Sequence, residues 1–227
     1  MNLPNSITVA RITVTPAIAF LPFLSSWPLR LLAFALFVAA AVTDYYDGKL
    51  ARTRGLETNL GKLLDPLADK LLLLATLVPM YWLQQPPPDS GLDDTLAGRA
   101  AFPFITPFGT VRLPLWVVVV VLGRELFMTI FRQIAARRGV VIAAIGPAKW
   151  KTGFQCTWTG AAFFWFFALT LAAERGWTGG AWLALAHFNG LLGAGAMLAA
   201  VTLTLYSLWL YLRQYGWILL GRTARSA

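Results

Sequence analysis

Short polar or basic breaks divide the chain into six apolar runs: one ending near residue 25, then 29–43, 62–83, 114–134, 152–173 and 182–212. In hydrocarbon no water is present to pair backbone N–H and C=O groups, so such runs must satisfy them internally, as helices. Hydrophobic residues make up 58% of the 227 and charged residues 13%, with a mean hydropathy of +0.63, far from the balance of soluble domains. The expectation is an all-α integral membrane protein of about six transmembrane helices forming one domain over residues 1–227. Residues 84–112, with Pro86-Pro87-Pro88 and Asp93-Asp94, are expected as an extramembrane loop. The last run exceeds the roughly 20 residues needed to cross and is expected to project beyond the hydrocarbon.

The net charge of +9 does not point to nucleic acid, because the basic residues punctuate the apolar runs and form no soluble basic domain. They fix orientation instead. With the first helix running outward, only Arg30, Arg99, Arg112 and Arg175 of the 19 Lys and Arg fall outside, so both termini are expected in the cytoplasm of an inner (cell) membrane. The start lacks the pattern of a cleaved signal and is expected to be retained. Arg11 rides inside the first run, either snorkelling to the interface or facing a polar cavity with Asn5 and Thr8. Cys156 and His187 read as structural residues, the cysteine small and buried. Many of the ten Trp, among them Trp27, Trp177 and Trp217, fall near the expected interfaces, as an aromatic belt.

Four carboxylates stand where two of these helices meet. Asp44 and Asp47 are three residues apart, and Asp65 and Asp69 four apart, so each pair shares a helical face. Carboxylates in hydrocarbon are costly and are functional by default. Packed together they repel unless a cation joins them, and hard divalent ions such as Mg²⁺ or Mn²⁺ take oxygen ligands of this kind. A dinuclear site opening to the cytoplasm is expected. Gly48, Ala51 and Gly61 lack bulk beside it, which lets a phosphate approach, and Arg52 adds a forked cation suited to phosphate oxygens.

The spacing Asp44-x₂-Asp47-Gly48-x₂-Ala51-Arg52-x₈-Gly61-x₃-Asp65-x₃-Asp69 resembles the signature of the CDP-alcohol phosphotransferase family at every fixed position. The resemblance implies a six-helix membrane enzyme, usually a homodimer, that displaces CMP from a CDP-linked alcohol by a second alcohol with the aid of two divalent metals. Carried over by position, Asp44, Asp47, Asp65 and Asp69 become metal ligands and Asp69 also the base for the acceptor hydroxyl. Pro4, Asn5, Thr8, Gly48, Arg52 and Thr58 look like the positions that hold the CDP moiety. Independent chemistry agrees, since attack on a diphosphate needs charge neutralisation and the alcohol must lose a proton to a group within reach.

The acceptor must be read from the second half. Arg124-Glu125-x₆-Arg132 is followed by Gly146-Pro147-x-Lys149-x-Lys151-Thr152. Arg124 and Arg132 lie roughly 12 Å apart along one helix, close enough to line a cavity with the lysines opposite. Arg124, Arg132, Lys149, Lys151 and Thr152 are thus candidates for binding an acceptor's phosphate, whereas Arg137 and Arg138 read as positive-inside decoration. This pattern resembles the branch of the family whose donor is CDP-diacylglycerol and whose acceptor is sn-glycerol 3-phosphate. Inositol phosphate or phosphatidylglycerol as acceptor, and a transporter with an acidic cation site, are the competing readings.

Overall fold

Among the described residues there are six long helices, α1 Leu3–Phe20, α2 Trp27–Arg54, α3 Asn59–Gln84, α4 Leu115–Arg137, α5 Gly146–Arg175 and α6 Gly180–Tyr215, with a two-stranded hairpin, β1 Phe104–Thr106 and β2 Gly109–Val111, between α3 and α4. The structure, a computed structural model, describes residues 3–54, 59–85, 102–143 and 146–219; for residues 3–4, 45–54, 59–63 and 147–149 only the backbone is described.

Helix boundaries follow local chemistry. Pro28 and Pro147 each occupy the second position of a helix, where a missing N–H costs nothing. Helix α4 stops where Gly139 takes φ +74°, and the amides of Gly139 and Val140 then return to the Ala136 and Ala135 carbonyls at 3.0 and 2.9 Å. Helix α5 ends the same way, with Gly176 at φ +66° and the Trp177 amide 2.9 Å from the Ala172 carbonyl. The break expected between the apolar runs 114–134 and 152–173 is therefore shorter, and α5 already begins at Gly146, which puts Lys149 and Lys151 on the helix. Helix α2 runs on past the aspartates, as nothing from Asp44 to Arg54 except Gly48 opposes helix.

Among the described residues five helices, α1, α2, α3, α5 and α6, are long and apolar enough to cross a membrane. Helix α4 spans 23 residues, about 35 Å, but carries Arg124, Glu125 and Arg132 in its second half. Packing is of the membrane kind: Ala33, Ala40, Ala161, Ala162, Ala196 and Ala200 are buried, while Val119, Leu126, Phe188 and Leu198 face outward. Small residues inside let helix backbones approach closely, and large ones outside meet lipid. Helix α5 packs chiefly on α6 and α2, and α1 on α3 and α2.

At the end of α3 remote from the aspartates, about 28 Å along the helix from Asp65 to Gln84, the chain departs from the loop expected over 84–112. Phe102, Phe104 and Leu113 are fully buried, the strands pair Phe104 with Val111 and Thr106 with Gly109, and the hairpin rests on α6. Its ends are tied down by the Phe102 amide on the Leu83 carbonyl (2.9 Å), the Leu113 amide on Gln84 Oε1 (2.7 Å) and Trp165 Nε1 on the Pro103 carbonyl (2.9 Å). The apolar island Phe102-Pro-Phe104-Ile105 inside a polar stretch is the cause: it is worth more in the bundle than in water. Residues 86–101 lie outside the described residues.

Candidate active site

Helix α1 presents a buried polar stripe, Asn5, Thr8, Arg11 and Thr15, to its neighbours. Spacings of three and four put these residues on one face. Thr8 Oγ1 donates to Asp65 Oδ1 at 2.8 Å. One turn on, Arg11 Nη1 donates to Asp44 Oδ1 of α2 and lies 3.4 Å from Asp69 Oδ1 of α3. Of the two readings open for Arg11, the polar cavity holds: its side chain is 1% exposed, whereas Asp44 and Asp69 are 47% and 61% exposed. A buried guanidinium demands an anion, so α1 draws the carboxylates of α2 and α3 to one point while leaving their outer oxygens accessible.

Asp44 and Asp69 border a cavity of about 180 Å³ between α2, α3, α4 and α5. Phe37, Ala41, Leu72 and Leu73 make its apolar walls, and Thr76, Glu125, Lys151, Thr152, Gln155, Cys156 and Thr159 complete it. Across from the aspartates, Lys151 Nζ donates to Glu125 Oε1, which also receives Arg124 Nη1 at 3.0 Å. Arg124 Nη2 reaches Ser207 Oγ of α6 at 3.1 Å, and its guanidinium lies 5.9 Å from the Tyr211 ring centroid. Two cations thus share one carboxylate, and the net positive charge is buried. One cavity therefore has an acidic wall for cations and a basic wall for an anion.

The sequence-derived residues are distributed as follows. Asp44, Asp69, Lys151 and Thr152 meet in the cavity. Asp65 is exposed beside Thr8 and does not line it, nor does Asn5 or Thr8. Arg124 stands behind Glu125, and Arg132 is exposed on α4. Asp47, Gly48 and Arg52 belong to α2, Pro4 to α1 and Lys149 to α5, but their side chains lie outside the described residues, as does Thr58 entirely. Glu125 and Gln155, not among the candidates, are cavity residues; their signal was the i, i+4 spacing of Gln155 from Lys151 and the acid set directly beside Arg124. Cys156, expected to be buried, is exposed at the cavity and at a neighbouring apolar groove.

That groove, about 490 Å³, runs between α2, α5 and α6 and shares Phe37, Ala41 and Cys156 with the cavity. Phe34, Val38, Phe164, Leu185 and Leu192 line it.

Comparison with known proteins agrees with this architecture. Residues 1–206 match the CDP-alcohol phosphatidyltransferase family, and the chain belongs to it. With five helices among the described residues long and apolar enough to cross a membrane, it is a multi-pass membrane protein. It is 37% identical over 168 residues to the CDP-diacylglycerol–glycerol-3-phosphate 3-phosphatidyltransferase of Bacillus subtilis (strain 168), a match covering 68% of this chain and 72% of that protein. It is 33% identical over 157 residues to the probable phosphatidylglycerophosphate synthase of Mycobacterium tuberculosis, covering 68% and 62%. The chloroplastic/mitochondrial CDP-diacylglycerol–glycerol-3-phosphate 3-phosphatidyltransferase 1 of Arabidopsis thaliana is 28% identical over 218 residues, covering 94% and 62%. The matched part of the last two relatives is thus less than two thirds of their length.

The family uses divalent metal ions, and the donor set fits them. Asp44, Asp65 and Asp69 offer hard oxygen ligands with exposed faces at the end of α2 and the start of α3. Among the described residues no three potential ligands are close enough to enclose an ion. The side chain of Asp47, one turn beyond Asp44, lies outside that set.

Proposed function

We propose that the protein transfers the phosphatidyl group of CDP-diacylglycerol to sn-glycerol 3-phosphate, forming phosphatidylglycerophosphate and CMP in phospholipid biosynthesis. The observation that carries this reading is the cavity in which Asp44 and Asp69 face Lys151, opening beside an apolar groove. A donor with a charged headgroup and two acyl chains needs an acidic, cation-holding wall next to a lipid-sized apolar surface. An acceptor that is itself a phosphate needs a buried cation opposite, and Lys151 supplies one.

In this reading Asp44, Asp47, Asp65 and Asp69 hold two divalent ions, Mg²⁺ or Mn²⁺, which when bound neutralise the diphosphate and orient it for in-line attack. Pro4, Asn5, Thr8, Gly48, Arg52 and Thr58 form the CDP end. Lys151, with Lys149, Thr152 and Arg132, takes the acceptor's phosphate, and Arg124 positions Glu125. Asp69 accepts the proton of the attacking hydroxyl as the new ester bond forms and CMP leaves. Arg11 holds that carboxylate toward the cavity.

The excess of Lys and Arg at the aspartate end supports a cytoplasmic active site in the inner membrane with both termini inside. Family resemblance supports a homodimer. The test is CMP release from CDP-diacylglycerol by the purified protein with Mg²⁺ and a panel of acceptors. Glycerol 3-phosphate is expected to support turnover; preference for inositol phosphate or phosphatidylglycerol would reassign the acceptor, and no CMP release with any would favour a transporter.

A further inference from the structure

We infer that Gln155 is a specificity-determining residue, donating its amide N–H to the hydroxyl on the middle carbon of the acceptor; this rests on the acceptor reading above. Lys151, Gln155 and Thr159 fall at i, i+4 and i+8 of α5 and form one stripe along the cavity. All three are buried, Gln155 to 8% exposure. Lys151 is answered by Glu125, and the Thr76 hydroxyl by the Leu72 and Leu73 carbonyls of its own helix at 2.9 and 3.1 Å. Gln155 Nε2 is different. It has no hydrogen-bond partner among the described residues, and of the buried side-chain nitrogens in that condition it alone belongs to a residue lining this cavity.

A buried amide donor left unanswered by the fold is unfavourable, and the cost is recovered if a ligand supplies the acceptor. Position says which part of the ligand. Gln155 lies one helical turn, about 6 Å, along α5 from Lys151, and Asp69 stands on the opposite wall. With the phosphate at Lys151 and the reacting hydroxyl at Asp69, the remaining oxygen of a three-carbon chain is the hydroxyl between them. A carboxamide suits it, offering both a donor and an acceptor to a neutral hydroxyl without adding charge beside Lys151 and Glu125.

The experiment compares kcat/KM for sn-glycerol 3-phosphate with that for 3-hydroxypropyl phosphate, which keeps the phosphate and the attacking hydroxyl but lacks the middle one. The wild type is expected to prefer glycerol 3-phosphate by on the order of tenfold, since a site built to bond a hydroxyl rejects the analogue without it. Gln155→Met, similar in shape but without the amide, should bring that ratio close to one, and Gln155→Asn should lower it partway. Because both acceptors are assayed on one preparation, a partly misfolded variant leaves the ratio readable. An unchanged ratio in both variants, or an effect confined to the KM for CDP-diacylglycerol, would overturn the inference alone. A wild type that releases no CMP with glycerol 3-phosphate would overturn the functional reading and this inference with it.

Discussion

Arg11 Nη1 lies 3.4 Å from Asp69 Oδ1, and the same nitrogen donates to Asp44. The first helix thus supplies the cation that gathers carboxylates from the second and third. Arg11→Gln removes that cation and leaves two acidic groups facing one cavity. Their exposure screens part of the loss, so a stability cost of about 1–2 kcal/mol is expected, together with a marked fall in turnover. Arg11→Lys keeps the charge but not the fork, and should recover stability better than activity. Thermal unfolding in detergent beside CMP release checks both; two variants indistinguishable from wild type would contradict the role.

Metal removal separates the four aspartates. Chelation should abolish turnover, and Mg²⁺ or Mn²⁺ should restore it. Asp44→Asn, Asp47→Asn and Asp65→Asn should each be inactive with the bundle still folded, because a carboxamide is a poor ligand for a hard dication. Asp69→Asn should bind the donor better than those three while losing on the order of 10²–10⁴ in kcat, the usual worth of a positioned base. Full activity in a metal-free preparation would sink the metal assignment.

What the sequence disclosed was decided by locality. Asp44 and Asp69 were legible as partners because helical spacing and the expense of membrane carboxylates are local facts, and the cavity brings the two together. The start of α5 was set too late, at 152, because the residues just before it are polar and basic, although Gly146-Pro147 is a helix opening as much as a connector. Arg11 was ambiguous, because a snorkelling and an ion-paired arginine look the same until the partners' positions are known. The hairpin was hidden for a different reason: its apolar residues are few, its polar surroundings dominate any window, and their burial depends on a notch in α6. Gln155 could not be singled out without knowing that its neighbours on the cavity wall are already paired.

That notch gives a test remote from the chemistry. A Cβ built at Gly190 would fall far inside van der Waals contact of the Ile105 carbonyl, and one at Gly193 would run into the Phe104 ring. A backbone carbonyl cannot swing aside as a side chain can. Gly190→Ala is expected to destabilise by about 1–3 kcal/mol through overpacking, with the KM for either substrate little changed in the folded fraction. A fully stable Gly190→Ala protein would mean that the hairpin does not seat on α6 in the membrane.

The basic wall carries the last prediction. Lys151 is buried and donates to Glu125 on the same wall of the cavity, whereas Arg124 touches that carboxylate from behind and does not line the cavity. If the acceptor's phosphate docks on Lys151, then Lys151→Ala should raise the KM for glycerol 3-phosphate by roughly 10–150-fold, the worth of one charge-assisted bond. Arg124→Ala should raise it less, because Arg124 acts by orienting Glu125. Plain glycerol should fail as an acceptor, since it leaves the buried ammonium without an added anion. The KM for CDP-diacylglycerol should stay nearly constant in both variants, because the donor's contacts lie on the aspartate and groove sides. Equal weakening of both substrates in Lys151→Ala, or turnover of glycerol at a rate comparable to its phosphate, would remove Lys151 from the acceptor site while leaving the acidic wall intact.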